Sequence, residues 1–202
     1  MTIVLVAPPG ARTDTHARNI ARRYAVPHIA TSDLFRAHVA RGSALGRLAS
    51  SYMAAGDLVP DRITTDMVRG RLGEPDAAHG FLLDGYPRNV AQAYGLDAIL
   101  SDLRSCVDVV LEFAVGTEPT PQGRAARRRQ VRRVSDDGEV IRHRVKVYDN
   151  ETAAVRRFYR GRRQLIVIDL VGSAESVTKC AIDALLPFER EYVSQLPLDA
   201  AM

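Results

Sequence analysis

Short apolar runs alternate along the chain with longer stretches in which apolar positions recur every three or four residues. The runs Thr2 to Ala7, His28 to Ala30, Phe81 to Leu83, Val107 to Phe113 and Leu165 to Asp169 read as strands. Four of them are continuous β-branched or leucine-rich runs without polar alternation, the pattern of strands covered on both faces. Between the runs, Asp14 to Tyr24, Ser32 to Arg41, Ala44 to Ala55, Asp61 to Leu72, Val90 to Leu100 and Glu139 to Tyr159 can each present an apolar stripe at helical spacing. Ser32 and Asp61 are placed as N-caps. This alternation predicts an α/β fold built on a mainly parallel sheet. Gly116 to Gly123 is a break rich in Gly, Pro and Thr, and the segment that follows reads as an insertion riding on the sheet, a candidate mobile lid. Pro187 to Met202 reads as an extra turn or tail.

Composition narrows the class. With 202 residues, 46% hydrophobic and 26% charged, the chain fits one compact globular domain and excludes a disordered, collagen-like or disulfide-stapled protein. All apolar runs are too short to span a bilayer, and the first begins at once without a basic leader, so a cytoplasmic location is expected. Cys106 and Cys180 lie in apolar surroundings with no CxxC partner, which predicts buried free thiols and no structural zinc. The formal charge of +4 is uneven: Arg124 to Lys146 holds nine Lys/Arg and three acids, and the remainder is close to neutral. A local cluster of that kind points to an anionic ligand at one segment. With no aromatic residues interleaved, it argues against nucleic acid as the partner. Only two residues are lysines, Lys146 and Lys179, so the first 145 residues contain none.

That absence matters at the loop after the first strand, Ala7-Pro8-Pro9-Gly10-Ala11-Arg12-Thr13-Asp14-Thr15. Strand, loop, helix is the setting of a phosphate-cradling P-loop. A working loop of that type needs glycines so that backbone N–H groups can surround phosphate, a lysine to reach the β/γ oxygens, and a hydroxyl for the metal ion. Gly10 and Thr15 meet these needs, whereas Ala7, Arg12, Thr13 and Asp14 stand where glycine, glycine, lysine and glycine would. Taken alone, the stretch reads first as a generic strand-to-helix turn, and the rest of the chain changes that reading. Asp14 adds a carboxylate to a helix N-terminus that would otherwise attract phosphate. At an effective dielectric near 20, a phosphate charge about 4 Å away would be disfavoured by roughly 4 kcal/mol before screening. Weak ATP binding is the expectation.

Further on come His28-Ile29-Ala30-Thr31-Ser32-Asp33-Leu34-Phe35-Arg36, Gly56-Asp57-Leu58-Val59-Pro60-Asp61, Gly80-Phe81-Leu82-Leu83-Asp84-Gly85-Tyr86-Pro87-Arg88, Gln92, Asp136-Asp137, Val140-Ile141-Arg142-His143-Arg144, Val147-Tyr148 and Phe158-Tyr159. With Pro9-Gly10-Ala11 and in this order, the chain resembles the adenylate kinase family from Thr2 to about Leu186. The resemblance implies a P-loop NTPase-like three-layer α/β/α fold with a five-stranded parallel sheet. It also implies an AMP-binding helical subdomain near 31–60, a short lid near 116–146 and a tail at 187–202. It assigns Thr31, Arg36, Val59, Gly85, Arg88 and Gln92 to AMP, with the arginines on the phosphate. Chemically the assignment is sound, since guanidinium groups grip a phosphate bidentately and an amide can read a purine edge with one donor and one acceptor. For Arg36 and Arg88 the lesser alternative, given the motif around each, is a solvated or salt-bridged surface arginine, whereas from spacing alone Asp33 and Asp84 are equally cap or strand-end carboxylates.

The same resemblance gives Asp33 and Asp84 a role around Mg2+ and its waters. Arg127 and Arg144, with Arg142 nearby, match lid arginines on the adenine face or the transferred phosphate. Two other lid positions depart from the family pattern: Val134, beside Arg133, and Gly123, beside Arg124, stand where arginine is usual. The short lid lacks a cysteine tetrad, so no zinc is expected there. Arg88, Arg127, Arg144, Asp84 and Arg12 form the expected catalytic set, with Arg12 or the lid arginines the only cations able to replace the missing lysine. The expectation is a monomer that binds AMP or an analogue, with ATP as donor, Mg2+ if catalytic, and impaired phosphotransfer. A non-catalytic nucleotide-binding protein is the alternative.

Overall fold

The computed structural model describes residues 1–8, 11, 13–55, 59–115 and 139–195. In chain order these form β1 (Thr2–Val6), α1 (Asp14–Arg23), β2 (His28–Ala30), α2 (Thr31–Ala40), α3 (Ala44–Ala55), α4 (Asp61–Leu72), a 3-10 turn (Pro75–Ala77), β3 (Phe81–Asp84), α5 (Val90–Asp102), β4 (Val109–Ala114), α6 (Glu139–Gly161), β5 (Leu165–Asp169) and α7 (Ala174–Gln195). The five strands make one sheet in the order β2-β3-β1-β4-β5, and every pairing is parallel.

All five residues of β1 are buried because helices cover both faces of the sheet. Val4, Val6, Leu83 and Val110 pack with Val68 and Leu72 of α4, Ala93, Leu96 and Leu100 of α5, and Val155 and Tyr159 of α6. On the opposite face, Ile3, Leu5, Val109, Leu111 and Phe113 meet Ala17, Ile20 and Ala21 of α1 and Val177, Ala181 and Leu185 of α7. The fold is therefore three layers, helices on a parallel sheet on helices. A smaller apolar cluster of Ala49, Val59 and Met67, with Phe35, Leu45 and Ile63 against it, ties α2, α3 and α4 together.

Four sequence expectations change. Ser32 and Asp61 are not caps: α2 begins at Thr31 behind Ala30, and α4 begins at Asp61 behind Pro60, with no side-chain cap bond at either. Asp61 instead gives its carboxylate to α5, as described below. The fourth strand begins at Val109 and not Val107: Asp108 N–H still donates to Thr2 O at 3.1 Å, but the Thr2 N–H goes to the Asp108 carboxylate at 2.6 Å and not to a backbone carbonyl. Pro187 does not start a tail; α7 runs through it to Gln195. Leu185 is fully buried, Phe188 packs on the same cluster, and Glu189 pairs with Arg23 at 3.2 Å, so tertiary contacts outweigh the lost helical hydrogen bond. The remaining part of the expected tail, 196–202, lies outside the described residues. Finally, both thiols are free but exposed, not buried: Cys106 sits in the loop before β4, and Cys180 faces away from the side of α7 that carries Val177 and Ala181.

Among the described residues no helix is long and apolar enough to cross a membrane.

Candidate functional site

In an open parallel sheet, ligands bind beyond the carboxyl ends of the strands, where the strand order reverses. Here that place lies at β1, between β3 and β4. The loop leaving β1 and the ends of β2 and β3 converge there. Ala11 N–H donates to Pro8 O at 3.1 Å, closing a tight turn before α1. Thr13 is buried at the head of α1, in αR conformation, and its hydroxyl caps nothing; its carbonyl accepts from Ala17 N at 2.9 Å. Asp14 and Thr15 follow in the first turn, both exposed. Gly10 and Arg12 lie outside the described residues. The lysine Lys179 is on α7, where its ammonium pairs with Asp183 at 2.6 Å.

The acceptor side is better defined. Thr31, almost wholly buried at the end of β2, donates from its hydroxyl to the Asp84 carbonyl at 3.3 Å. Gly85 follows with φ of +83°, a conformation that favours glycine. Any Cβ there would sit 2.5 Å from Thr31 Oγ1 and 3.3 Å from Arg88 Nη2, so glycine is needed for space as well as for backbone conformation. Arg88 Nε donates to Gly85 O at 2.9 Å, which folds the guanidinium back over this turn.

Asn89 is the N-cap of α5, its side-chain oxygen accepting from Gln92 N at 2.8 Å. The Gln92 amide, in a residue only 2% exposed, accepts from Arg88 N at 2.8 Å through Oε1 and donates to Asp61 Oδ1 at 2.7 Å through Nε2. Asn89 Nδ2 donates to the same carboxylate at 3.0 and 3.1 Å. Sequence reasoning missed Asp61 and Asn89 here. An Asn followed three residues later by Gln at the start of a helix is a capping signature and could have flagged Asn89.

The other expected site residues are placed less tightly. Val59 is buried in the small cluster beneath α4 and accepts the Thr64 hydroxyl at 3.3 Å through its carbonyl. Arg36 pairs with Asp33 one turn earlier, both side chains about two-thirds exposed, so each is occupied by the other. Asp84 ends β3 with its carboxylate 3.5 Å from His28 Nε2. Arg127 lies outside the described residues, and Arg142 and Arg144 are placed only as backbone in the first half of α6. Among the described residues no group of three or more His, Cys, Asp or Glu is arranged to hold a metal ion.

Two buried polar contacts frame the loop after β1 and were not anticipated. His16 of α1 stacks on Phe113 with ring centroids 5.3 Å apart, and its Nδ1 is 2.7 Å from Thr178 Oγ1. The Thr178 hydroxyl already donates to Ala174 O at 2.8 Å, so Nδ1–H is the donor to it. Burial holds the His16 imidazole below its ordinary pKa. On the other face Glu112, 3% exposed on β4, has its Oε1 2.5 Å from Arg156 Nε of α6. This pair joins the strand that enters the 116–138 segment to the helix that leaves it.

A model of the adenylate kinase family matches residues 5–164. The chain belongs to the adenylate kinase family. It is 50% identical over 185 residues to the adenylate kinase of Thermobifida fusca, covering 92% of this chain and 98% of that protein. It is 44% identical over 185 residues to that of Rhodococcus erythropolis, covering 92% and 99%. For the enzyme of Xanthomonas campestris pv. campestris strain B100 the figures are 45% over 179 residues, 89% and 96%. Membership in this nucleotide-binding enzyme family agrees with the three-layer fold and the five-stranded parallel sheet.

Proposed function

We propose that this adenylate kinase family member binds AMP, or a closely related nucleoside monophosphate, in the pocket between the ends of β2 and β3 and the start of α5, and that its ATP-dependent phosphotransfer is weak or altered. The observation that carries the reading is the contrast between two neighbouring loops. On the acceptor side Thr31, Gly85, Arg88 and Gln92 form one bonded unit. On the donor side Thr13 heads α1 where a P-loop would carry lysine, and Asp14 is exposed in the first turn. Phosphoryl transfer rests on positioning and charge neutralisation, so losing one such contact to the moving phosphate costs roughly 3–4 kcal/mol, two to three orders of magnitude in rate. Within the first 145 residues arginine is the only replacement, from Arg12 or from the lid set that includes Arg127 and Arg144.

For Mg2+, the residues fit in part. Asp84 is a strand-end carboxylate whose carboxylate contact among the described residues is His28 Nε2 at 3.5 Å, and Asp33 is exposed beside Arg36, so Asp84, and Asp33 once released from Arg36, can hold water molecules of a metal's shell. When bound, the ion would neutralise charge on the phosphates. Arg36 supports the AMP phosphate assignment once it leaves Asp33, and Val59 supplies an apolar wall with its carbonyl.

The alternative, a non-catalytic AMP-binding protein, draws its support from Asp14, whose carboxylate repels a polyphosphate at the helix N-terminus. A coupled assay for ADP decides between them. A slow wild type accelerated by Thr13→Lys by about a hundredfold or more supports an impaired kinase. Wild-type turnover at an ordinary rate of about 10 to 1,000 per second would overturn the donor-site reading.

A further inference from the structure

We propose that Asp61 sets the base specificity of the acceptor pocket by locking the orientation of the Gln92 amide, so that the pocket takes a 6-aminopurine and rejects a 6-oxopurine. This rests on the reading of Gln92 as the residue that meets the base.

A side-chain amide has two ends, and turning it by 180° exchanges donor for acceptor. Adenine presents a donor on its 6-amino group beside a ring-nitrogen acceptor. Hypoxanthine presents the reverse pair, an acceptor at the 6-oxo group beside a ring N–H. A glutamine free to turn would match either base. Gln92 is not free. A carboxylate can only accept, so Asp61 Oδ1 at 2.7 Å demands the NH2 end; a backbone N–H can only donate, so Arg88 N at 2.8 Å demands the carbonyl end. The two demands agree, one on each end of the amide of a residue that is 2% exposed. One hydrogen of Nε2 and one lone pair of Oε1 remain in this fixed order for a ligand.

Asp61 is itself held. Asn89 Nδ2 donates to both its oxygens at 3.0 and 3.1 Å, while Asn89 Oδ1 caps α5 through Gln92 N at 2.8 Å. The carboxylate therefore cannot swing away without breaking a second pair of contacts. Because Arg88 belongs to the same unit, the phosphate grip and the base-reading amide keep a fixed spacing. In this arrangement Asp61 is a positioning residue that never touches the nucleotide.

The test titrates AMP, IMP and ribose 5-phosphate into the wild type and into Asp61→Ala, Asp61→Asn, Gln92→Ala and the Asp61→Ala/Gln92→Ala double variant. Wild type should prefer AMP to IMP. Removing one charged hydrogen-bond partner should cut that preference roughly tenfold in Asp61→Ala, and about threefold in Asp61→Asn, whose amide can offer either end. Affinity for ribose 5-phosphate should stay the same, which a general loss of structure would not allow. In the Gln92→Ala background, Asp61→Ala should leave the AMP-to-IMP ratio unchanged. An unaltered ratio in both single Asp61 variants, or an equal fall in the Gln92→Ala background, overturns the proposal. If Asp61→Ala does not fold, Asp61→Asn decides alone. A wild type that binds no AMP defeats the acceptor-pocket reading and this inference with it, whereas a wild type that prefers AMP with an unresponsive ratio defeats only the role of Asp61.

Discussion

Gly85 separates what one residue contributes to the fold from what it contributes to binding. Gly85→Ala places a methyl 2.5 Å from the Thr31 hydroxyl and 3.3 Å from the Arg88 guanidinium, on a backbone already at φ +83°. The strain and displacement should lower stability by roughly 1–3 kcal/mol and abolish measurable AMP binding. Arg88→Ala should leave the melting temperature nearly unchanged but weaken AMP binding by about ten- to a hundredfold, the scale of a charged hydrogen bond. Calorimetry and thermal melts on the two variants check both statements; an Arg88→Ala protein with wild-type AMP affinity contradicts the acceptor assignment. At this scale the sequence was only partly readable. Gly85 and Arg88 stand out within their motif, but the reason for the glycine lies 54 positions away in Thr31. Asp61 looked like a cap because capping is a local property. Its contact with Gln92 spans 31 positions and depends on how α4 and α5 pack.

Among the elements, α1 links the donor loop to the core, and His16 shows how. Its imidazole is buried against Phe113 and Thr178, with a pKa held below the ordinary value by burial. As pH falls through about 6.5, the unfolded chain takes up this proton while the folded one does not, so stability is full above that value and declines below it. His16→Gln should flatten that decline, which melting temperatures between about pH 8 and about pH 5 will reveal. A wild type and variant that lose stability in parallel would show that His16 is not the group responsible. The elements themselves were legible because strands buried on both faces read as unbroken apolar runs, as β1, β3 and β4 do; β2 is short and begins with His28, and β5 is only partly covered, with Val167 exposed. What failed were the places where tertiary contacts overrule local preference. Pro187 lies inside α7 because Leu185, Phe188 and Glu189 fasten both sides of it, and β4 starts late where the Asp108 carboxylate takes the Thr2 N–H.

For the whole molecule, the charge pattern and the two loops are what support the proposed contrast between acceptor and donor sides. The stretch from Arg124 to Lys146 is the basic part of the sequence, while Thr13 precedes α1, Asp14 opens it and no lysine precedes position 146. The Glu112–Arg156 pair joins β4, which precedes position 116, to α6, which follows position 138. The family and its fold follow from the sequence and its relatives. The proposed asymmetry between acceptor and donor reduces to relative affinities. Separate calorimetric titrations of the wild-type protein with AMP and with ATP and Mg2+ measure them directly. AMP should bind, with ATP weaker by roughly a hundredfold or more, in line with the loss of one charged contact and the gain of a repulsive one. ATP binding as tight as AMP binding would contradict it.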